Sequence, residues 1–150
     1  MSVSQLTIAT DTQKLVTMRL DNQRFGIPVC AVRDVLKDQL IAPIPKAPSD
    51  IAGAINLRGR IVTVIDMRNR LGLTTHYGAS PTFIVVDFNG EYFCLLVDRV
   101  NEVLAVESSY IEPCPANMDD AWREVASGIY PLQSELLVII DVHKLLSANL

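Results

Sequence analysis

The sequence predicts a mainly β fold made of two similar small barrels or sandwiches, and three observations support this. The chain nearly repeats itself, because segment 24–36 aligns with 92–104 at an offset of 68 residues, and 60–66 aligns with 135–141 at an offset of 75. Most apolar runs are short and are bounded by turn residues, as in strands. Helical features are confined to short segments. Many short strands with little helix are typical of small barrels and sandwiches.

The first half opens with a predicted hairpin. Segments 14–20 and 24–29 are strand-like and flank the polar turn DNQ. Segment 31–36 places Val32, Val35 and Leu36 at helical spacing, which predicts one helical turn. Prolines at 43, 45 and 48 then impose an extended, irregular path.

A second hairpin is predicted in the stretch that closes the first half. Segments 51–57 and 61–67 are rich in β-forming residues and are joined through Arg58–Gly59–Arg60. Asp66 is then placed to cap a short helix that ends near Gly72.

The second half repeats this order of elements. Segments 82–88 and 91–97 flank Asn89–Gly90, the pair that suits a type I′ hairpin turn. Three more strands are predicted around 103–106, 124–131 and 135–140, and Asp141 is placed to start a last short helix through Leu146.

Composition indicates an ordinary globular protein. The chain has 150 residues, of which 49% are hydrophobic and 20% are charged, and its net charge is −4. Residues 1–75 carry ten Lys/Arg and six Asp/Glu, whereas residues 76–150 carry three and eleven. This asymmetry indicates either orientation between partners of opposite charge or two solvated faces. The basic half lacks interleaved aromatic residues, so nucleic acid is not an expected partner.

Location is predicted from the cysteines and the N-terminus. The three cysteines are odd in number and form no C-x-x-C pair, which favours a reducing compartment. Residues 1–13 are predicted to be a mobile polar leader without signal-peptide features, and no apolar run is long enough for a membrane span. We therefore expect a cytoplasmic protein without direct membrane insertion.

Candidate catalytic residues have simpler structural interpretations. Asp66 and Asp141 occupy equivalent positions in the two halves and are interpreted as helix caps. His76 lies in a linker, and neither it nor His143 has partners at metal-ligand spacing, so neither a metal nor a cofactor is expected. A small thiol enzyme using Cys94, Asp141 and His143 stays open as an alternative, although a buried structural thiol is the favoured interpretation of Cys94.

One polar constellation is a better candidate for binding. Asp34 and Glu102 are equivalent at the offset of 68, so each half carries a carboxylate after its first hairpin. Arg58 has no such twin, because Gln133 takes its place in the second half. We expect Arg58 to make a charge-assisted contact with Asp34 or with a carboxylate of a partner. The alternative is a solvated turn arginine.

These residues lie within segments that resemble a known family. The stretch GAINLRGRIVTVIDMRNRLGL (53–73) resembles the signature of the CheW domain, the adaptor of bacterial chemotaxis signalling, and FGIPVCAVRDV (25–35) and LLVIIDVHKLL (136–146) resemble its other segments in order. The likeness covers residues 14–147. The chain departs from the family pattern at Thr63, where proline is usual, and at Asp34, where glutamate is commoner.

The resemblance implies a single CheW-like domain at 14–147, in which two SH3-like five-stranded barrels in tandem share a hydrophobic core, with a few short helices. It implies a first barrel mostly at 14–75 and a second mostly at 80–147. The implied function is a non-enzymatic adaptor that couples the cytoplasmic tip of a methyl-accepting chemoreceptor to the regulatory domain of a CheA-type histidine kinase, with self-association in array rings. An adaptor of another chemosensory-type pathway, for pilus motility or gene regulation, is an alternative.

The resemblance also implies roles for individual residues. Receptor-binding positions map to Val32, Gly53, Ile84 and Val103, while Asp34 and Arg58 map to a polar pair that binds the kinase or shapes the first barrel's surface. Such an adaptor needs apolar positions that are left partly uncovered where the barrels meet, to hold an amphipathic receptor helix. Val29 and Val100 are also near this junction, and we expect both to be core residues.

Overall fold

The computed structural model describes residues 11–74 and 80–147, and within them the fold is mainly β. Three short helices, α1 to α3, and two 3₁₀ turns accompany ten strands, β1 to β10. The strands are β1 Thr12–Leu20, β2 Gln23–Pro28, β3 Val32–Leu36, β4 Ile51–Leu57, β5 Arg60–Asp66, β6 Thr82–Phe88, β7 Glu91–Val97, β8 Arg99–Glu107, β9 Ala126–Pro131 and β10 Leu136–Ile140. The helices are α1 Met67–Arg70, α2 Asp120–Arg123 and α3 Val142–Ser147, and the 3₁₀ turns are Val29–Ala31 and Ser108–Tyr110.

The strands form two five-stranded sheets with the same internal order. Sheet A runs β8-β1-β2-β10-β9 and sheet B runs β3-β6-β7-β5-β4. The sequence repeat relates β1–β5 to β6–β10. When each strand of sheet A is replaced by its equivalent in the repeat, the strand order becomes that of sheet B. Each sheet also contains one parallel pair at the same place, β2 with β10 and β5 with β7.

The two halves of the chain exchange strands, so the predicted division into barrels at 14–75 and 80–147 is wrong. Strands β1 and β2 from the first half pair with β8 and β10 from the second, and β3 and β5 pair with β6 and β7. The repeat identifies which segments are alike. It does not reveal whether a strand pairs within its own copy or with the other copy, because both arrangements bury the same apolar faces.

Three apolar clusters explain the stability of this arrangement. One fills the inside of sheet B and a smaller one lies on sheet A, while the largest takes residues from both sheets and from α1 and α3. Phe25 and Phe93, equivalent by the repeat, both belong to the largest cluster and are buried. The predicted mainly β fold with two five-stranded units and a shared core is therefore confirmed.

Local predictions succeeded mainly where turn chemistry was specific. Asn89 and Gly90 have positive φ values of 54° and 83°, as a type I′ turn requires. Asp66 accepts a hydrogen bond from the Asn69 amide at the start of α1. Asp141 likewise accepts hydrogen bonds from the His143 and Lys144 amides, so both aspartates are helix caps.

Two local predictions need correction. Segment 31–36 is a strand, β3, and not a helical turn. Strand β1 begins at Thr12, inside the predicted 1–13 leader, while residues 1–10 lie outside the described residues. The linker histidine, His76, also lies outside them.

Candidate interaction surface

The predicted contact between Arg58 and Asp34 is present. The hairpin between β4 and β5 turns at Arg58 and Gly59, whose φ values are 51° and 86°. Arg58 Nη2 lies 2.9 Å from Asp34 Oδ2, and Asp34 Oδ1 accepts a hydrogen bond from the Val35 amide at 2.9 Å. The carboxylate is thus held in place, whereas the arginine side chain remains 75% exposed. The pair presents a fixed polar feature beside edge strand β3.

The corresponding carboxylate of the second half has an arginine from another position. Arg24 Nη2 lies 2.8 Å from both carboxylate oxygens of Glu102. These hydrogen bonds, together with one from Glu102's own backbone amide, hold the pKa of Glu102 below its usual value, with the backbone amide the larger cause. Arg24 and Arg19 also contact Glu135. Each of the two equivalent carboxylates therefore pairs with an arginine of the first half, Asp34 with Arg58 at the hairpin tip and Glu102 with Arg24 of β2.

Edge strands β3 and β8 are equivalent by the repeat and expose equivalent valines. Val35 is 44% exposed on β3, and its twin Val103 is 56% exposed on β8. Val32 and its twin Val100 are partly buried and pack against the shared core. Val103 is therefore available to a partner, whereas Val32 is available only in part. Val35 was not among the predicted binding residues, although its equivalence to Val103 in the repeat could have identified it.

Ile84 is fully buried, so it offers no surface to a receptor. It lies in β6 opposite Val35 of β3 and belongs to the shared core. The prediction that Ile84 contacts the receptor is corrected in this respect: its side chain lies on the same face of the sheet as Val35 and supports it from within the core. Strand β6 is buried on both faces, and alternation cannot assign a face in such a strand.

Gly53 is also buried and acts through the backbone. Its φ is 147°, and a Cβ at this position would collide with the carbonyl oxygen of Ala42 and the side chain of Ile41. Ala42 and Ala54 exchange two backbone hydrogen bonds of 2.8 Å beside it. Because Gly53 has no Cβ, the proline-rich segment, which contains Ala42 and the prolines at 43, 45 and 48, can pack closely against β4. Its influence on any partner is through the position of that segment.

Val29 corrects a further expectation. We expected Val29 in the core, but it is 37% exposed. Val100, for which we expected the same, is partly buried and packs against the shared core. Val29, Pro28 and Cys30 line a shallow apolar depression with the start of β1. No residue of the 3₁₀ turn Val29–Ala31 is buried.

An ion cluster around the buried Arg68 joins the sheets, and no sequence pattern had indicated it. Arg68 of α1 contacts Asp98 through two hydrogen bonds of 2.7 and 2.8 Å and contacts Asp21 at 2.7 Å. Asp21 lies in the β1–β2 turn of sheet A, and Asp98 lies where the chain passes from sheet B to sheet A. We call these three residues the Arg68 latch.

The thiol-enzyme alternative has no geometric support. Cys94 packs in the cluster inside sheet B, and burial raises the pKa of its thiol to about 12. The ring of His143 instead packs on Phe88, which borders the shared core on the opposite face of the sheet. A thiol with a raised pKa carries little thiolate at neutral pH. In addition, the third member of the set, Asp141, is engaged as a helix cap.

Two other features of the described residues bear on function. No group of three His, Cys, Asp or Glu side chains within 11–74 and 80–147 is arranged to hold a metal ion. Among the same residues, no helix has the length and apolar character needed to span a membrane.

Comparison with known proteins identifies relatives along nearly the whole chain. The family model described as CheW-like domain matches residues 14–149. The chain is 30% identical to the chemotaxis protein CheW of Rhizobium meliloti, over 87% of this chain and 84% of the relative. It is also 30% identical to the chemotaxis protein CheW of Klebsiella aerogenes, over 99% and 90% respectively.

A solved structure and a more distant relative add to this. The crystal structure of the scaffolding protein TtCheW from Thermoanaerobacter tengcongensis superposes with a TM-score of 0.78 at 32% identity, covering 86% of this chain and 88% of that one. Protein FrzA of Myxococcus xanthus is 28% identical over 92% of this chain and 88% of the relative. With a family model spanning both sheets, this chain belongs to the CheW-like domain family.

Proposed function

We propose that this chain is a non-enzymatic adaptor of a bacterial chemosensory array in the cytoplasm. It couples the cytoplasmic tips of methyl-accepting chemoreceptors to the regulatory domain of a CheA-type histidine kinase, and it self-associates in array rings. Family membership supports this function, and so does the name of the structural relative as a scaffolding protein. No cofactor is involved in it.

The observation that carries the proposal is the pair of equivalent edge strands. Strands β3 and β8 each expose a valine beside a fixed arginine–carboxylate pair, and both are supported by the same core. An apolar centre within a polar rim is typical of protein-binding surfaces. A rigid core that holds two such surfaces is what an adaptor requires, because both partners must be held in a fixed relation.

Individual residues take different parts in this proposal. Val103 contacts the receptor directly, and Val32 contributes its exposed part to the same binding. Gly53 and Ile84 act indirectly, since one positions the proline-rich segment and the other supports β3. Asp34 and Arg58 form the polar pair that the kinase recognises or that shapes the surface it meets.

Co-sedimentation of the chain with a receptor-tip fragment and with the kinase regulatory domain tests the function. The wild-type chain should bring both partners into one complex. Absence of binding to both cognate partners would contradict the adaptor function.

Val103→Met then tests the receptor surface. We expect weaker receptor binding, unchanged kinase binding and an unchanged midpoint of unfolding in denaturant, because Val103 is largely exposed. Val32→Met is the matched comparison: since Val32 packs against the core, the added volume should cost about 1–3 kcal/mol of stability. Equal loss of both partners in Val103→Met would contradict its assignment.

A second pathway is a specific alternative within the same class. The match to FrzA shows that CheW-like relatives include proteins that are not named as chemotaxis proteins. An adaptor for pilus motility or gene regulation would use the same surfaces with a different receptor and kinase. Identification of the kinase that co-sediments separates the two pathways.

A further inference from the structure

The repeat provides an internal comparison around the segments that lead into β4 and β9. The Asp66 amide donates to the Asp50 carbonyl at 2.8 Å, and the Asp141 amide donates to the Val125 carbonyl at 2.8 Å. These two hydrogen bonds are equivalent at the offset of 75 residues. They place Ala47 at the position that Trp122 occupies in the second half.

In the second half, Trp122 fills the space above the core. It lies in α2, which Asp119 caps, and its ring stacks on Phe25 with centroids 4.6 Å apart and an interplanar angle of 26°. The depression left beside it has a volume of about 210 Å³ and is lined in part by Val138 and Gln23.

In the first half, the same space is open. Phe93, Thr63 and Glu91 are the repeat twins of Phe25, Val138 and Gln23, and all three line a groove of about 400 Å³. Ala47 lies on its wall, and Ile65, Leu146 and the prolines at 45 and 48 complete much of the lining. We call this the Ala47 groove. Its volume falls in the range of roughly 300–1,000 Å³ that binding pockets occupy, and the volume beside Trp122 does not.

We propose that the Ala47 groove receives an aromatic side chain that a protein partner presents from a short helical turn. The second half of the same molecule shows this occupant, since Trp122 reaches the equivalent space from a helix of four residues. The lining is mixed, with aliphatic and aromatic side chains beside Thr63 and Glu91. An aromatic ring buried in a preformed pocket is a common anchor of protein interfaces. The choice of receptor and kinase as test partners rests on the proposed function, whereas the peptide experiment does not.

Charges of both signs lie at the rim. Lys46 and Glu91 both line the groove and are exposed. The internal occupant also carries both signs, because Asp119 and Asp120 precede Trp122 and Arg123 follows it. A partner segment with charged residues on each side of its aromatic residue would suit this rim.

The probe for this site is a synthetic peptide with the sequence of residues 116–125, ANMDDAWREV, added to the full-length chain. In ¹H–¹⁵N correlation spectra we expect saturable shifts of the Ala47, Thr63 and Phe93 amides. The same peptide with Ala in place of its Trp should bind at least about tenfold more weakly, as for the loss of an interface anchor. Equal shifts with the two peptides, or no saturable shift near the groove, would overturn the proposal.

Ala47→Trp tests the groove from the protein side, because it supplies the aromatic ring in cis. We expect it to abolish the peptide shifts and to weaken one of the two protein partners at least about tenfold, while Ser49→Trp, at an exposed position outside the groove, changes neither. Full retention of both partners by folded Ala47→Trp would refute the groove as a docking site and leave the adaptor function intact. The two-peptide comparison decides the question if Ala47→Trp does not fold.

Discussion

At the scale of single residues, backbone conformation explains how the Asp34–Arg58 pair is formed. Positive φ values at Arg58 and Gly59 produce a tight hairpin that brings the guanidinium group to Asp34. The ion pair is exposed, so it contributes little to stability. Among the described residues, Arg58 contacts Asp34 through one terminal nitrogen of its guanidinium group. The other N–H donors of this group remain available to a partner. This arrangement suits recognition more than folding.

Arg58→Ala should change the free energy of unfolding by less than about 1 kcal/mol, because the arginine makes an exposed ion pair and no core contact. The loss in the free energy of binding to the kinase regulatory domain should be larger than this loss of stability. Titration calorimetry with Arg58→Ala, Asp34→Asn and the double variant measures the coupling between them. A large loss of stability with unchanged kinase affinity would show that Arg58 is a structural residue.

Gly53→Ala should be strongly destabilising, by about 2–4 kcal/mol, because its Cβ would collide with the backbone of Ala42 and its φ is positive. Gly90→Ala is the control, since Gly90 also has a positive φ but a Cβ there meets open space. It should cost only about 1 kcal/mol. Urea unfolding measures both, and similar losses would mean that the close approach at Ala42 relaxes readily.

How far the sequence predicts individual residues depends on how specific their chemistry is. The Asp66 and Asp141 caps and the Asn89–Gly90 turn follow from short-range rules, and the structure confirms them. The contact of Arg58 with Asp34 was one of two alternatives, and the structure selects it. Ile84 could not be placed, because its strand is apolar on both faces.

At the scale of elements, strand β3 shows how a shift in strand register misleads a prediction made from periodicity. Its burial alternates as in a strand, with Val32, Asp34 and Leu36 partly covered and Arg33 and Val35 exposed. The pairing with β6 shifts register between Val32 and Asp34. Val32 and Val35 therefore lie opposite residues of the shared core, whereas Leu36 lies opposite Phe83 of the cluster inside sheet B. The extra residue of this bulge spaces the apolar residues as in a helix, so the sequence pattern imitates one.

The Arg68 latch predicts a pH dependence of stability. Burial would raise the pKa of Asp98, but hydrogen bonds from Arg68 and from the Asp21 amide outweigh it and hold the pKa below its ordinary value of 3.8. The folded protein therefore binds fewer protons than the unfolded chain in this acidic range, and stability rises with pH there. The stabilisation that Asp98 contributes is complete at pH values above its ordinary pKa. It is lost as the pH falls through the lower pKa of Asp98 in the folded protein.

Asp98→Asn should lower the free energy of unfolding at pH 7 by about 1–3 kcal/mol, because a partly buried hydrogen bond to a charged arginine is weakened. The difference from wild type should shrink as the pH falls below 3.8, the ordinary value for Asp98. Glu107→Gln, an exposed carboxylate on β8, is the control. Denaturant unfolding across pH measures the difference, and a constant difference at all pH values would exclude the latch as its cause.

At the scale of the whole molecule, strand exchange makes each sheet depend on both halves of the chain. It also redistributes charge: residues 29–97, which include all of sheet B, carry seven Lys/Arg and six Asp/Glu, while the rest of the chain carries six and eleven. The negative charge of the second half is thus concentrated around sheet A. Sequence could reveal the repeat and the two-unit plan, but pairing between copies depends on the three-dimensional path of the connections.

Separate expression of residues 1–74 and 80–150 should give two chains that do not fold alone, because each lacks strands of both sheets. Mixing them should restore the native spectrum, since the shared core can reassemble from the two pieces. Circular dichroism and ¹H–¹⁵N correlation spectra monitor both steps. Cooperative melting of either piece alone would contradict the dependence of each sheet on both halves.

Exchange of strands between equivalent halves also has a consequence for the origin of the fold. A half-length ancestor with strands like β1–β5 would lack the partners that close either sheet, as the present first half does. Two such chains would complete each other only as an intertwined symmetric dimer. Gene duplication and fusion would then join two subunits that were already interlocked, and would free their surfaces to diverge. The groove at Ala47 and the tryptophan at the equivalent position in the other copy are an example of that divergence.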